Sequence, residues 1–247
     1  VYPAVPMAMA CRGEKAAGCI VLEPTEQRIM TSIRGAIWFR ILFEGKAGHS
    51  GQAGQTRSAL LLAREAMNAL EHYHQDLLNR SRGLPLFDPY PNPMPLTFGR
   101  LEAGNWPATA PGRARLEGVL GFLPNRTRDQ VCEEFKATLE AVPDLAGRFS
   151  LSFMYRHDCS VLDPAHPLPT LLLNAAATQG RSTRVDAMTA SCDACYYSGF
   201  LKIPTVVWGP GSLSVAHSRE EHIRPEEIAQ AAETLLAFLP RYQEALA

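Results

Sequence analysis

Between Arg34 and Glu44 the chain alternates with a period of two. Ile37, Phe39, Ile41 and Phe43 fall on one side, and Trp38, Arg40, Leu42 and Glu44 on the other. Successive side chains of a strand point to opposite faces, so this run makes a β-strand with one fully apolar face. That face must be covered, which demands neighbouring strands and a helical layer. The downstream sequence predicts both. Leu60, Ala63, Met67, Leu70 and Leu77 keep helical spacing in a helix from about Ser58 to Arg80. Five prolines in residues 83–95 make a long loop, and strands follow near 96–103 and 113–123. Thr127 and Gln130 form a capping box that opens a second helix, with Val131, Phe135, Leu139 and Val142 as its buried stripe. Phe149 to Tyr155 closes the segment as a strand. Strand, helix, strand, strand, helix, strand is the split βαβ, ferredoxin-like order, a complete two-layer unit.

The flanks read differently. Ala16 to Leu22 is a short apolar run stopped by Glu23-Pro24, which predicts a buried strand. Thr205 to Trp208 predicts another, ended by Gly209-Pro210-Gly211. Pro169 to Thr178 reads as a helix. A last helix starts near Pro225-Glu226-Glu227, with Ile228, Ala231, Leu235, Leu236 and Leu239 as its expected core face. One α/β domain, residues 1–31 and 159–247, is thus expected to be interrupted by another at 32–158.

Charge excludes several function classes. With 24 Lys+Arg against 25 Asp+Glu, a formal net charge of −1 and no basic tract, the chain is not an electrostatic binder of nucleic acid or anionic membrane. It has no apolar run of about 18 residues that would cross a bilayer. Six irregularly spaced cysteines argue against a disulfide scaffold and for a reducing, cytoplasmic setting. Cys192 and Cys195 have CxxC spacing without a second such pair, and reduced, inert thiols are expected there.

Glu23 directly follows one buried strand and His217 lies a few residues beyond the other. Ligands of open α/β sheets collect at the carboxyl ends of strands, where a carboxylate and an imidazole can ligate metal. The two are 194 residues apart, and taken singly a Glu before Pro is more often a solvated strand end and a histidine in such a run more often a surface one.

Read together, GCIVLEPT (18–25), GKAGHSG (45–51), GNWP (104–107), GFLPN (121–125), the Asp-Ala pair at 193–194 and VVWGPGSLSVAHSREEHI (206–223) form a colinear series. In order and spacing it resembles the acetylornithine deacetylase / succinyl-diaminopimelate desuccinylase / carboxypeptidase family of dinuclear zinc amidohydrolases, over nearly the whole chain. The resemblance implies a partial zinc-peptidase-type catalytic α/β domain interrupted by a ferredoxin-like βαββαβ lid that also dimerises. It implies Glu23 as a ligand to one metal and His217 as a ligand to the other. His49 would reach the partner subunit's active site and help hold the substrate carbonyl oxygen as negative charge develops, an oxyanion-type role. Asn105, Asp193, Gly209 and Gly211 would contact substrate. The implied reaction is hydrolysis of a small N-acyl amino acid, acetylornithine deacetylase-like, by a homodimer carrying two zinc or cobalt ions per active site.

Two departures are mild: Glu220-Glu221-His222 stands where the family usually has Asp-Glu-Tyr, and Cys192 where a threonine is common. The large departure is an absence. The family's metal-binding His, bridging Asp and Glu-Glu pair do not precede Val1. The expectation is a C-terminal portion of a longer hydrolase, inactive and without metal by itself. The alternative is a non-catalytic dimerisation or amino-acid-binding module of the same family.

Overall fold

The computed structural model describes residues 8–9, 12–52 and 54–246. Val1 and Cys11 lie outside them, as does the beginning of the segment expected over 1–31. The chain divides into two compact units, a flanking unit of residues 1–34 and 159–247 and an inserted unit of residues 35–158.

The flanking unit begins with β1 (Cys19–Val21) and β2 (Ile29–Ile33). The inserted unit then runs β3 (Gly35–Glu44), β4 (Gly48–His49), α1 (Ala59–Arg80), β5 (Leu96–Ala103), β6 (Thr109–Ala110), β7 (Arg113–Phe122), α2 (Arg128–Glu140) and β8 (Phe149–His157). Its main sheet has the antiparallel order β5-β7-β3-β8, which is the ferredoxin-like order. Ile37, Phe39, Ile41 and Phe43 are buried, as the alternation requires, beneath α1 and α2. The ring of Phe39 lies 4.8 Å from that of Phe135, which lies 5.9 Å from Phe153. Burying each such side chain stabilises the unit by about 1.5–3 kcal/mol. The capping box of α2 is formed: Gln130 donates its backbone N–H to the Thr127 hydroxyl (3.3 Å), and the Thr127 N–H is donated to Gln130 Oε1 (2.9 Å). The opposite sheet face carries Arg40, Arg100 and Arg115 interleaved with Glu102 and Glu117, with Arg40 to Glu117 at 2.6 Å.

The α1 stripe departs from expectation. Ala59, Leu62, Ala63, Ala66, Leu70, Tyr73 and Leu77 are buried, whereas Leu60 is 41% exposed and Met67 only half-buried. Two apolar stripes lie side by side on this helix. The one bearing a column of alanines comes to rest on the sheet, because small side chains let the backbone approach closely.

The flanking unit resumes with β9 (Ser160–Val161), α3 (Pro167–Thr178), β10 (Val185–Met188), α4 (Ala194–Gly199), β11 (Thr205–Val207) and α5 (Pro225–Ala245). Its sheet has the order β1-β11-β2-β10, with β9 joined to β2. The β1–β11 and β2–β10 pairs are parallel, and β11 meets β2 antiparallel. Neither β2 nor β10 was expected: all five residues of β2 are buried, so it shows no alternation to read. Ile29, Val206 and Trp208 pack with Leu168 and Leu172 of α3 and Phe238 and Tyr242 of α5. Met30, Met188 and Val207 pack with Ala194 of α4 on the other sheet face.

The α5 core face is also rotated from expectation. Ala231, Thr234, Phe238 and Tyr242 are buried, Leu235 is partly buried, and Ile228, Leu236 (71%) and Leu239 (57%) are exposed. The rings of Phe238 and Tyr242 stack at 5.1 Å, and the Tyr242 hydroxyl donates to the Ala17 carbonyl at 2.8 Å. Two aromatic rings with a hydrogen-bond anchor outweigh the leucine stripe. No helix among the described residues is long and apolar enough to cross a membrane.

Candidate active site

The EPT and GPG motifs fold as one piece. β1 and β11 run in register, Val21 beside Val207, so their carboxyl ends lie side by side. The chain then ties the two exits together. Thr25 is fully buried; its hydroxyl donates to the Arg28 carbonyl (2.8 Å) and accepts from the Gly209 N–H (3.1 Å). Gln27 N–H donates to the Gly209 carbonyl (2.9 Å) and Glu26 N–H to that of Gly211 (2.7 Å). Glu26 and Gln27 both adopt left-handed backbone, φ 56° and 59°, in a turn closed by Arg28 N–H on the Thr25 carbonyl (3.0 Å). Each such residue costs on the order of 1 kcal/mol and persists because the surrounding bonds over-determine it. A Cβ at Gly209 would lie 2.6 Å from the Glu23 carbonyl oxygen. The backbone carrying Glu23 therefore requires glycine at 209.

Three ionisable side chains meet electrostatically at this junction. Burial first, and then the negative charge of Asp193, push the Glu23 carboxyl above its ordinary value, while His217 partly offsets the rise. Asp193 precedes α4 without capping it through its side chain. His217 is itself left-handed (φ 59°), and its backbone N–H donates to Glu221 Oε2 at 2.6 Å. Nearby, burial pushes the Cys192 thiol up to about 12, and Cys195 is buried with its thiol on the Cys192 carbonyl at 3.3 Å. A Cys192 thiol so far from ionisation is inert.

Among the described residues, no group of three or more His, Cys, Asp or Glu side chains could hold a metal ion. Catalytic zinc takes three protein ligands and a water. Glu23, Asp193 and His217 share a field without converging on one point, so the residues present do not fit a metal centre on their own.

His49 and Asn105 belong to the inserted unit, whereas Glu23, Asp193, Gly209, Gly211 and His217 belong to the flanking unit. His49 sits on β4, which pairs with β6: Gly48 opposes Ala110 and His49 opposes Thr109. Ser50 N–H donates to the Ala108 carbonyl at 2.9 Å. The GKAGHSG segment is thereby laid against the stretch that follows Asn105, whose side chain is exposed. A Cβ at Gly45 would lie 2.2 Å from the Arg57 carbonyl oxygen, and one at Gly48 2.5 Å from Thr56 Cγ2. Gly51 donates its N–H to His49 Nδ1 at 3.0 Å.

Residues 31–144 match the peptidase dimerisation domain. The chain is 25% identical over 212 residues to an acetylornithine deacetylase of Aliivibrio fischeri (strain MJ11), covering 83% of this chain and 52% of that protein. It is 26% identical over 232 residues to a probable carboxypeptidase of Aspergillus fumigatus, covering 91% and 48%. Over most of its length the chain is similar to acetylornithine deacetylases and to a probable carboxypeptidase. It spans about half the length of the curated relatives it matches. The crystal structure of the aminopeptidase PepT of Bacillus cereus superposes with a TM-score of 0.73 at 18% identity, over 97% of this chain and 61% of that one, a likeness of fold.

Three residues of this chain have structural roles that sequence reasoning missed: Thr25, Gly51 and Glu221. Each stood inside a quoted motif. What singles them out is a hydrogen bond to a partner whose position the sequence does not show, 184 residues away for Thr25 and Gly209.

Proposed function

We propose that this chain supplies the dimerisation domain and part of the catalytic α/β domain of a metal-dependent amidohydrolase that cleaves the amide bond of an N-acyl amino acid, acetylornithine deacetylase-like. The observation that carries the reading is the shared field of Glu23, Asp193 and His217 at the joined EPT and GPG exits. Two sites drawn from opposite ends of the chain meet where ligands of such sheets bind. The protein would act as a homodimer through the inserted unit.

In this reading His49 donates a hydrogen bond to the carbonyl oxygen of the scissile amide as charge develops on it. The GPG loop presents backbone to the substrate, and Asn105 and Asp193 contact it. Two zinc or cobalt ions belong to the family pattern. Glu23 and His217 are this chain's candidate ligands, one for each. A single ligand per ion does not retain metal.

The experiment is hydrolysis of a panel of N-acyl amino acids by the native protein that carries this sequence, with metal content determined in parallel. Turnover should depend on zinc or cobalt. His49→Ala should lower it by about 10²-fold or more with metal content unchanged. Loss of metal in His49→Ala would remove the oxyanion role; a fully metal-loaded protein inert toward every N-acyl amino acid would remove the hydrolase.

A further inference from the structure

His49 is held on both sides. Its own strand β4 is fixed by β6, with His49 opposite Thr109, and the next residue is tied down by Ser50 N–H on the Ala108 carbonyl at 2.9 Å. The chain then enters a single 3₁₀ turn, Ser50–Gln52, which swings the Gly51 N–H back onto the imidazole. That N–H lies 3.0 Å from Nδ1 and donates to it. A Cβ at position 51 would stand 3.2 Å from the same nitrogen, tighter than an ordinary contact. The exposed imidazole would need to give by only a few tenths of an ångström to admit a methyl there.

A neutral imidazole carries one hydrogen, and a nitrogen that accepts an N–H cannot also bear it. The hydrogen is therefore on Nε2. Among the described residues no hydrogen bond engages that nitrogen, and the side chain is exposed. The opposite tautomer would offer Nε2 as a lone pair, suited to a proton acceptor or a metal ligand. The observed bond removes that option for the neutral ring.

We infer that Gly51 is the positioning residue of His49: its backbone N–H selects the imidazole tautomer that donates from Nε2, so that His49 serves an oxygen acceptor and is neither a general base nor a metal ligand. The inference rests on the proposed oxyanion role for its functional meaning, although the tautomer itself does not depend on it. The matching ligand atom is a carbonyl or carboxylate oxygen, and binding strengthens as that oxygen gains charge.

The test reads the side-chain ¹⁵N shifts of His49 by long-range ¹H–¹⁵N NMR in the full chain, at a pH where the imidazole is neutral. The wild-type protein should show the Nε2–H signature alone; an Nδ1–H signature would overturn the inference without any variant. Gly51→Ala keeps the donor and should keep the signature. Gly51→Pro removes the donor, at a position early in a helical turn where proline is tolerated. It should raise the Nδ1–H population several-fold with an unchanged circular dichroism spectrum. An unchanged tautomer in a folded Gly51→Pro protein would also overturn the inference, because the amide would then not select it. In the native protein Gly51→Pro should lower kcat about tenfold with little change in KM. The expected NMR result with unaltered kcat would leave the tautomer standing and count against the oxyanion role of His49.

Discussion

The inserted unit and the flanking unit bury apolar surface in different ways. Residues 35–158 bury one sheet face: the ten-residue β3 sends every second side chain under two helices, and the opposite sheet face carries interleaved arginine and glutamate beside the exposed Trp38 and Leu42. Residues 1–34 and 159–247 use strands of two to five residues, in a sheet that mixes parallel and antiparallel neighbours. They leave Leu22, Phe200, Leu236 and Leu239 more than half exposed. The first unit derives its order from a continuous aromatic core. The second derives much of its order from loops, above all the EPT and GPG exits, where buried hydrogen bonds and left-handed residues replace apolar area. A unit built around long alternating strands tolerates surface change. One built on joined loops is sensitive at single backbone positions.

The largest test of this contrast is Phe39→Ala. Removing a ring that touches Phe135 should cost about 3–5 kcal/mol and shift only the inserted unit's transition in urea, followed by site-specific hydrogen exchange. A shift of equal size in the flanking unit would end the claim that the two are energetically separate. Gly209→Ala should follow, costing about 1–3 kcal/mol. The new methyl meets the Glu23 carbonyl oxygen, a backbone atom that cannot rotate away, and the loss should appear in the melting of the flanking unit alone. Thr25→Val leaves the buried Gly209 N–H without its side-chain acceptor and should cost about 1–2 kcal/mol, while Thr25→Ser restores most of it. Equal losses in Val and Ser would mean that the methyl, not the hydroxyl, matters.

The smallest effect is in pH. Burial pulls the Glu134 carboxyl upward, but hydrogen bonds from Arg80 (3.0 Å) and Tyr73 (3.1 Å) outweigh it and hold the group below its ordinary value. A lowered carboxyl contributes stability that is present above its unfolded value of about 4.3 and is lost as pH falls through the folded one. The inserted unit should therefore weaken between about pH 5 and pH 3, and Glu134→Gln should flatten that slope. An unchanged slope would show that the Tyr73–Glu134–Arg80 cluster adds nothing to the stability of this unit.

What was legible in the sequence follows from local periodicity and local chemistry. The alternation from Ile37 to Phe43 determines which face of β3 is buried, because side chains on a strand have only two directions to take. Thr127 and Gln130 determine the start of α2, because a capping box closes within four residues. The order of elements then determines the ferredoxin-like sheet, and the colinear motifs carry the resemblance to acetylornithine deacetylases. The faces of α1 and α5 were decided only by tertiary structure. A helix bearing two adjacent apolar stripes has no internal reason to prefer either, and contact with the sheet chose Leu62 and Ala66 over Leu60, and Phe238 over Leu236. The candidate site divides the same way. The sequence alone names Glu23, His49 and His217 as chemistry-bearing residues. That Thr25 closes on Gly209, that the charge of Asp193 acts on Glu23, that Glu221 holds His217 and that Gly51 turns its amide onto His49 are facts of three-dimensional placement. The first two join residues more than 150 positions apart. The others depend on a backbone turn whose direction no pattern of residue types encodes.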